Sequence, residues 1–459
     1  MKILKYLLLT LFLYMSAVSC LEDVDKIAPP PTFVLAQPAD GSKDVMNSTE
    51  VSITYDQQIK LSEVNTIKIN GQPVQATVQG AKILLKKDLD KGTEYVVKVP
   101  AGIVFGVNGD RSADEVVFKF STKKETRVLS VLPVMANASR EAVNVYEFLK
   151  EVYGSKCISS SMANVSWNTN EADWVFKHTG KYPAINTFDY IHLNWAPDSW
   201  IDYSNTQAIE NWWANNGIVS AMWHWKVPKN KDTTDKNEFT YASWETSFKA
   251  ANATVEGTWE NEVVKADLKE MAGYLKLLKD KNIPVVWRPL HEASGNIYKG
   301  GGAWFWWGAG GSEAFKKLWI YMFDYFEQQG LNNLIWVWTT EMKDDAFYPG
   351  DQYVDIVGRD IYGNSDSSNI AGQFNAIQQT YPTKMIALSE MGGLPTISQQ
   401  WSSGAFWSYF MPWYDYDRTV NPNSAAFTET SHGSADIAWW KDAFKNEAVI
   451  SRDEIPNLK

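Results

Sequence analysis

The sequence predicts a (β/α)8 barrel preceded by a small all-β sandwich. Two observations carry this prediction: short alternating strands fill residues 32–122, and eight apolar strand segments alternate with helices over residues 128–459. The chain of 459 residues is 45% hydrophobic and 21% charged, which is the composition of a globular protein. Its composition excludes a mostly disordered or fibrous chain.

The first twenty residues have the features of a secretory signal. Lys2 and Lys5 precede an apolar stretch at 6–15 that is too short to span a bilayer. The following Ala-Val-Ser-Cys at 17–20 resembles the cleavage box of bacterial lipoproteins, in which the cysteine is lipidated. We expect Cys20 to carry the only membrane anchor and to hold the protein at the outer membrane, facing the cell surface or the periplasm. A plain secreted protein is the alternative.

Residues 21–31 read as a linker, because this polar stretch ends in three prolines that stiffen the backbone. Residues 32–122 then show short strands with period-two alternation, and Asn70-Gly71 is a hairpin signal. The segment resembles the bacterial immunoglobulin-like modules that stand between lipid anchors and catalytic domains, including the Phe-Ser-Thr ending at 120–122. It carries no cluster of catalytic residue types, so we interpret it as a spacer that ends near residues 123–126.

The barrel prediction rests on eight buried-strand candidates separated by amphipathic helices. One helix carries an apolar stripe from Leu268 to Leu278, and another is expected to begin with Ser312 as its N-cap and to close at Gly330. In this fold the active site lies at the carboxyl ends of the strands. The eight candidates are 156–163, 184–194, 219–225, 284–291, 334–340, 354–362, 385–390 and 405–413.

Composition narrows the class of ligand. A net charge of −11 and a pI near 5.1 argue against nucleic acid, whose phosphates are bound by lysine and arginine. The chain has 22 tryptophans, none before Trp167, and this surplus indicates flat apolar surfaces for a neutral ligand such as a sugar polymer. The five histidines are scattered, so we expect no metal and no other cofactor. We expect a monomer, with Cys157 packed in a strand.

Two glutamates follow apolar strands of the predicted barrel. The fourth strand runs into Trp-Arg-Pro-Leu-His-Glu at 287–292, and the seventh ends in Leu-Ser-Glu-Met-Gly at 388–392. Glu292 and Glu390 should therefore stand on opposite sides of one cavity. Glycoside hydrolysis needs such a pair, one protonated and one ionised, about 5–5.5 Å apart in retaining enzymes.

These two motifs resemble glycoside hydrolase family 26, chiefly endo-β-1,4-mannanases, over residues 128–459. The resemblance implies retaining hydrolysis of β-mannan with Glu292 as acid/base and Glu390 as nucleophile. It also implies that Tyr362 hydrogen-bonds the nucleophile and that Trp413 lies under the sugar at subsite −1. Further substrate-binding residues implied by the resemblance are His224, His291 and Trp304, the last as a platform at subsite +1.

Some assignments stay open at this point. Arg288 is a substrate-site candidate and a structural partner that keeps nearby carboxylates ionised. Glu341 and Asp360 also lie near strand ends and are the alternative catalytic carboxylates. The same barrel acting on mixed-linkage glucan or β-1,3-xylan is an alternative function. A non-catalytic surface glycan-binding lipoprotein is another, although the two placed glutamates argue against it.

Overall fold

The structure is a computed structural model that describes residues 28–46, 49–64, 66–90, 92–122, 128–164, 167–198 and 200–459. Cys20, most of the linker and the boundary segment 123–126 lie outside these residues. The described part of the chain separates into two compact units, one ending at residue 122 and one beginning at residue 128. Among the described residues, no helix has the length and apolar content needed to cross a membrane.

The first unit is an all-β sandwich, as predicted. Its apolar side chains alternate along the strands and form one core, which includes Tyr95, Phe118 and Phe120. Asn70 and Gly71 both have positive φ and close the predicted hairpin. One sheet contains Phe33–Gln37, Val51–Tyr55, Lys82–Lys86 and Gln75–Gln79; another contains Ser42–Val45, Val116–Thr122, Glu94–Val99, Lys68–Ile69 and Gln72–Pro73; Ile59–Leu61 pairs with Val104–Gly106.

The second unit is a closed barrel of eight parallel strands, which confirms the predicted fold. Each strand pairs with the next along the chain, and the first also pairs with the last. All strand residues except Tyr362 are buried, as expected for a parallel sheet covered by helices. The strands are β1 Cys157–Met162, β2 Ile185–Asp189, β3 Ile218–Trp223, β4 Val285–Pro289, β5 Leu334–Thr340, β6 Ile356–Tyr362, β7 Met385–Gly392 and β8 Tyr409–Pro412.

Helices cover the outside of the barrel through apolar faces. The helix Gly311–Gln328 begins one residue before Ser312, so the expected N-cap role of Ser312 is wrong; Gly310 occupies that position without a side-chain hydrogen bond. Gly330 follows this helix with a φ of 72°, as predicted. The other α-helices of this unit are Arg140–Val152, Asn170–Thr179, Gln207–Ala214, Trp259–Lys279, Ser367–Thr380, Ile397–Ser402, Tyr416–Thr419 and Ile437–Lys445.

The tryptophans mostly belong to the core, which corrects the expectation that their surplus is displayed for a ligand. Ten are less than 2% exposed, whereas Trp200 and Trp244 are 53% and 73% exposed. Trp306, for example, donates from its indole nitrogen to the carbonyl of Trp225 at 2.7 Å, which satisfies this N–H inside the core. The ten buried tryptophans are Trp174, Trp223, Trp225, Trp287, Trp306, Trp307, Trp319, Trp336, Trp338 and Trp407.

Candidate active site

Glu292 lies three residues beyond the end of β4, on a sharply turned loop. Its backbone φ is 50° and that of Leu290 is 48°, both in the left-handed region that non-glycine residues seldom adopt. The loop is fixed from two sides. A Cβ on Gly308 would lie 1.6 Å from the carbonyl of Ala293, and Ser294 donates a 2.8 Å hydrogen bond to Asp344 beyond β5. These two contacts hold the turn that carries Glu292.

Glu390 stands on β7, where the pairing with β6 shifts by one residue. Arg359 pairs with Leu388, but the next residue, Asp360, pairs with Glu390, so Ser389 is the extra residue of a bulge. Such bulges re-aim side chains beside active sites. Here Ser389 donates a 2.7 Å hydrogen bond to Asp360, and Glu390 turns inward. The bulge brings two carboxylates, Asp360 and Glu390, to the same level of the barrel.

Arg288 is the buried cation that compensates these carboxylates. Both of its terminal nitrogens donate to Oε2 of Glu390, at 3.0 and 3.1 Å, and one also donates to Asp360. Thr339 on β5 accepts from its Nε at 3.1 Å. Because Arg288 is only 2% exposed and is occupied by these partners, the structure places it beneath the cavity as a support for Glu390.

The second oxygen of Glu390 has a different partner. Tyr362, the last residue of β6, donates a hydrogen bond of 2.7 Å from its hydroxyl to Oε1. A Cβ on Gly392 would lie 2.8 Å from the Tyr362 ring, so a glycine is needed there for the ring to reach Glu390. The structure thus brings together Glu390 and the tyrosine that the family resemblance paired with it.

Two histidines line the cavity between β3 and β4. The rings of His224 and His291 lie 4.4 Å apart at 78°, and Trp413 lies 5.8 Å from His224. Asp189 at the end of β2 accepts from Nδ1 of His224 at 2.6 Å and from its backbone nitrogen at 3.1 Å. This partner fixes the imidazole orientation and leaves Nε2 toward the cavity. Asp189 is not among the site residues predicted from the sequence, because no motif in its strand distinguishes it from the neighbouring polar residues.

Burial and nearby charges give Glu292 and Glu390 different protonation states. The pKa of Glu292 lies well above its usual value because burial disfavours the ionised form and Asp360, Glu390 and Glu341 add like charge. Burial and Asp360 also raise the pKa of Glu390, whereas Arg288 and the Tyr362 hydroxyl lower it. Glu390 has these two compensating donors and no such contact is formed by Glu292 among the described residues, so the proton resides on Glu292.

His291 is neutral. Burial, His224 and Arg288 hold the pKa of His291 well below its usual value. A neutral imidazole can donate one hydrogen bond and accept another, which suits a sugar hydroxyl. Nδ1 of His291 is buried without a hydrogen-bond partner among the described residues.

The aromatic segment after β4 differs from the expectation for Trp304. Its indole lies against Gly295, where a Cβ would be 2.5 Å from Nε1, so Trp304 packs beneath the loop that carries Glu292. The neighbouring Phe305 faces the cavity instead, with its ring 5.0 Å from His291 and 5.8 Å from His224. Alternation along the segment puts Phe305 on the side opposite to Trp304, a register that the sequence left undefined.

The alternative carboxylates are present in the same cluster. Asp360 is engaged by Arg288 and Ser389, and Glu341 at the end of β5 forms an ion pair of 2.9 Å with Arg359. Carboxylate oxygens of Glu292, Glu341 and Asp360 lie within 4.8 Å of one another, close enough to share a metal ion. Arg288 and Arg359 form ion pairs with two of these carboxylates, those of Asp360 and Glu341.

Comparison with known proteins agrees with this geometry. Residues 134–435 match glycosyl hydrolase family 26, and residues 27–122 match a bacterial Ig-like domain. The chain is 31% identical to mannan endo-1,4-beta-mannosidase B of Piromyces sp over 412 residues, covering 86% of this chain and 66% of that protein. It is 32% identical to a mannan endo-1,4-beta-mannosidase of Thermothelomyces thermophilus, covering 67% of this chain and 63% of that protein.

Solved structures of β-mannanases are also similar to this chain. The GH26 domain of an endo-beta-mannanase/endo-beta-glucanase from Prevotella bryantii is 39% identical with a TM-score of 0.64, covering 72% of this chain and all of that domain. A beta-mannanase from a symbiotic protist of the termite Reticulitermes speratus, complexed with gluco-manno-oligosaccharide, is 33% identical with a TM-score of 0.60, covering 72% of this chain and 98% of that one.

The chain spans between 51% and 66% of the length of the first curated relatives. The match nevertheless covers all eight barrel strands, including β7 with Glu390, and the loop after β4 that carries Glu292. The chain therefore belongs to glycosyl hydrolase family 26, with a bacterial Ig-like domain preceding its barrel.

Proposed function

We propose that this chain is a retaining endo-β-1,4-mannanase that hydrolyses mannan, galactomannan or glucomannan. The observation that carries the proposal is the pair Glu292 and Glu390, one carboxyl without a cation and the other held between Arg288 and Tyr362. Support also comes from the relatives that are mannan endo-1,4-beta-mannosidases and from the relative complexed with gluco-manno-oligosaccharide.

In the first step Glu292 acts as general acid and Glu390 as nucleophile. A carboxylate oxygen of Glu390 forms a bond to the anomeric carbon while the bond from that carbon to the glycosidic oxygen breaks. The proton of Glu292 passes to that oxygen, so the leaving sugar departs as a neutral alcohol. Glu292 is then ionised, and the sugar is covalently bound to Glu390.

In the second step Glu292 acts as general base. It takes a proton from a water molecule, whose oxygen attacks the anomeric carbon and displaces Glu390. Two inversions return the β configuration. The arginine and tyrosine donors on Glu390 serve both steps, because they stabilise the carboxylate that leaves and keep it oriented for attack.

The remaining site residues bind the sugar. His224, oriented by Asp189, and the neutral His291 present ring nitrogens to hydroxyl groups at subsite −1. Trp413 supplies an apolar face beside His224. Apolar ring faces stack on the C–H faces of sugars, and hydroxyl groups remain for the histidines.

The mechanism is tested by trapping the covalent intermediate. Incubation with a 2-deoxy-2-fluoro β-mannosyl fluoride should label the intact chain with one sugar, and peptide mass spectrometry should place that label on Glu390. Glu390→Gln should abolish labelling and turnover, whereas Glu256→Gln, at an exposed ion pair with Lys265, should leave both unchanged. A label on Glu341 or Asp360, or hydrolysis with inverted configuration, would contradict the assignment.

The substrate is tested on a panel of polymers. Reducing-sugar release should be fastest on mannan and glucomannan and slower on lichenan and β-1,3-xylan, and viscosity should fall early because internal bonds are cut. Faster hydrolysis of lichenan or β-1,3-xylan would assign another β-glycan. Binding of polymers without any hydrolysis would assign a glycan-binding protein.

We also propose that the protein is a lipoprotein of the outer membrane, anchored through Cys20. The proposal is supported by the apolar stretch 6–15 and the Ala-Val-Ser-Cys segment. Metabolic labelling with a palmitate analogue should mark the wild-type chain and not Cys20→Ser. Protease treatment of intact cells should then distinguish the cell surface from the periplasmic face. An unlabelled wild-type chain in the culture medium would contradict the anchor.

A further inference from the structure

A third carboxyl group faces the catalytic cluster from β5. Glu341 directly follows this strand and is only 6% exposed. Its Oε2 pairs with Arg359 at 2.9 Å, but its Oε1 is buried and accepts no hydrogen bond from any described residue. Carboxylate oxygens of Glu341, Glu292 and Asp360 lie within 4.8 Å of one another. A buried, unsatisfied carboxylate oxygen is unfavourable, so its presence here calls for an explanation.

The chain holds Glu341 in this place with dedicated contacts. Asp344 accepts hydrogen bonds from the backbone nitrogen of Glu341 at 2.8 Å and from the hydroxyl of Thr340. The two residues after Glu341 have φ values of 69° and 60°, a strained turn that these contacts maintain. The same Asp344 accepts from Ser294 on the loop of Glu292. One aspartate therefore fixes the relative position of Glu341 and the acid/base.

We infer that Glu341 is a positioning residue whose carboxylate keeps the acid/base Glu292 protonated until its proton passes to the glycosidic oxygen. The inference rests on the proposed function, because it concerns the proton that Glu292 donates. The ion pair with Arg359 favours the ionised form of Glu341. Like charge within about 4–6 Å then disfavours ionisation of a neighbouring carboxyl. Glu341 therefore opposes a negative charge on Glu292 from the end of β5. Arg288 on β4 has the opposite effect, because its positive charge favours the ionised form of Glu292.

The charged groups around this pair come from five neighbouring strands and their loops. Burial raises the pKa of Glu341 to about 7, opposed by Arg359 and reinforced by Asp360 and Asp344. Below that pH Glu341 is neutral and exerts little effect; above it the carboxylate opposes loss of the Glu292 proton. The other groups facing the cluster are His224, His291, Arg288, Glu390 and Tyr362.

The test compares pH profiles of kcat/KM on mannopentaose for the full chain and for Glu341→Gln. Removing the carboxylate lowers the pKa of Glu292, so the alkaline limb should move to lower pH by about 1 unit or more. The acidic limb, which reports Glu390, should stay in place. On an aryl mannobioside with a dinitrophenol leaving group, which needs no protonation, the variant should retain wild-type kcat/KM because Glu292 is not required as an acid.

Two further variants accompany Glu341→Gln in this test. Asp345→Asn removes an exposed charge from the same turn and should leave the profile unchanged. Glu341→Asp withdraws the carboxylate by one methylene and should give an intermediate limb; it serves in place of Glu341→Gln if thermal melting shows that variant to be unfolded. The inference would be overturned if the alkaline limb stayed in place in both Glu341 variants, or if it shifted equally in Asp345→Asn. A wild-type chain without mannan hydrolysis would instead overturn the proposed function.

Discussion

The hydroxyl of Tyr362 donates a 2.7 Å hydrogen bond to Oε1 of Glu390, the oxygen that Arg288 leaves free. The nucleophile is thus held at both oxygens by donors from two strands. Tyr362→Phe removes one of these donors, and a hydrogen bond to a charged group contributes about 1.5–3 kcal/mol. We expect kcat on mannan to fall roughly 10- to 100-fold, with the melting temperature little changed.

The matched control for this prediction is Tyr182→Phe. The Tyr182 hydroxyl also donates to a carboxylate, that of Asp173 at 3.0 Å, but outside the cavity. It should leave kcat unchanged. A Tyr362→Phe enzyme with wild-type kcat would show that the hydrogen bond does not contribute to the orientation or charge of Glu390.

The effect of removing Glu292 is expected to depend on whether the leaving group needs a proton to depart. Glu292→Ala removes the general acid, so hydrolysis of mannan should fall by about 10²–10⁴-fold. Hydrolysis of a dinitrophenyl mannobioside should retain a fast glycosylation step, because that leaving group departs without a proton. Azide should then accelerate turnover and yield a β-mannosyl azide, detectable by mass spectrometry and NMR. Equal losses on both substrates without azide rescue would contradict the acid/base role.

Much of this site could be predicted because its signals are local in sequence. Apolar runs that end in Glu292 and Glu390 identify β4 and β7, and all eight strands lie where the alternating pattern placed them. Position on consecutive strands of a closed barrel then brings distant residues together. The residues Tyr362, His224 and His291 follow from the same reasoning combined with the family resemblance.

The missed features depend on contacts between distant segments. The bulge at Ser389 exists through its pairing with β6, and the positive φ of Glu292 is maintained by Asp344 across the β5 turn. Asp189 becomes visible as a partner only once His224 lies beside it. Tryptophan burial was misjudged for the same reason, because composition does not show which rings pack against distant segments, as Trp306 packs against Trp225.

Gly392 is expected to be essential for the position of Tyr362. A Cβ at residue 392 would lie 2.8 Å from the Tyr362 ring, so Gly392→Ala must displace the ring from Glu390. The expected result is a kcat loss similar to that of Tyr362→Phe, and the combination of the two substitutions should add little, because both remove the same interaction. A double variant whose loss is the product of the two single losses would contradict this coupling.

Gly372→Ala is the matched control for that experiment. Gly372 lies in the helix Ser367–Thr380, and a Cβ there meets nothing within 4 Å. Alanine is favoured over glycine in a helix interior by about 0.5–1 kcal/mol. The control should therefore keep full activity and melt at a slightly higher temperature, which separates the effect of an added methyl group from the effect on Tyr362.

Cys157 should report the unfolding of the barrel. The thiol lies in β1 with no exposed surface, and burial raises its pKa well above the usual value. Both properties suppress reaction with a disulfide reagent, which requires an accessible thiolate. In a Cys20→Ser chain we expect no labelling under native conditions and one equivalent in denaturant. The labelling midpoint in urea should coincide with that of tryptophan fluorescence, since the tryptophans lie in the same unit. Rapid native labelling, or a midpoint well below the fluorescence transition, would mean that β1 opens before the rest of the barrel.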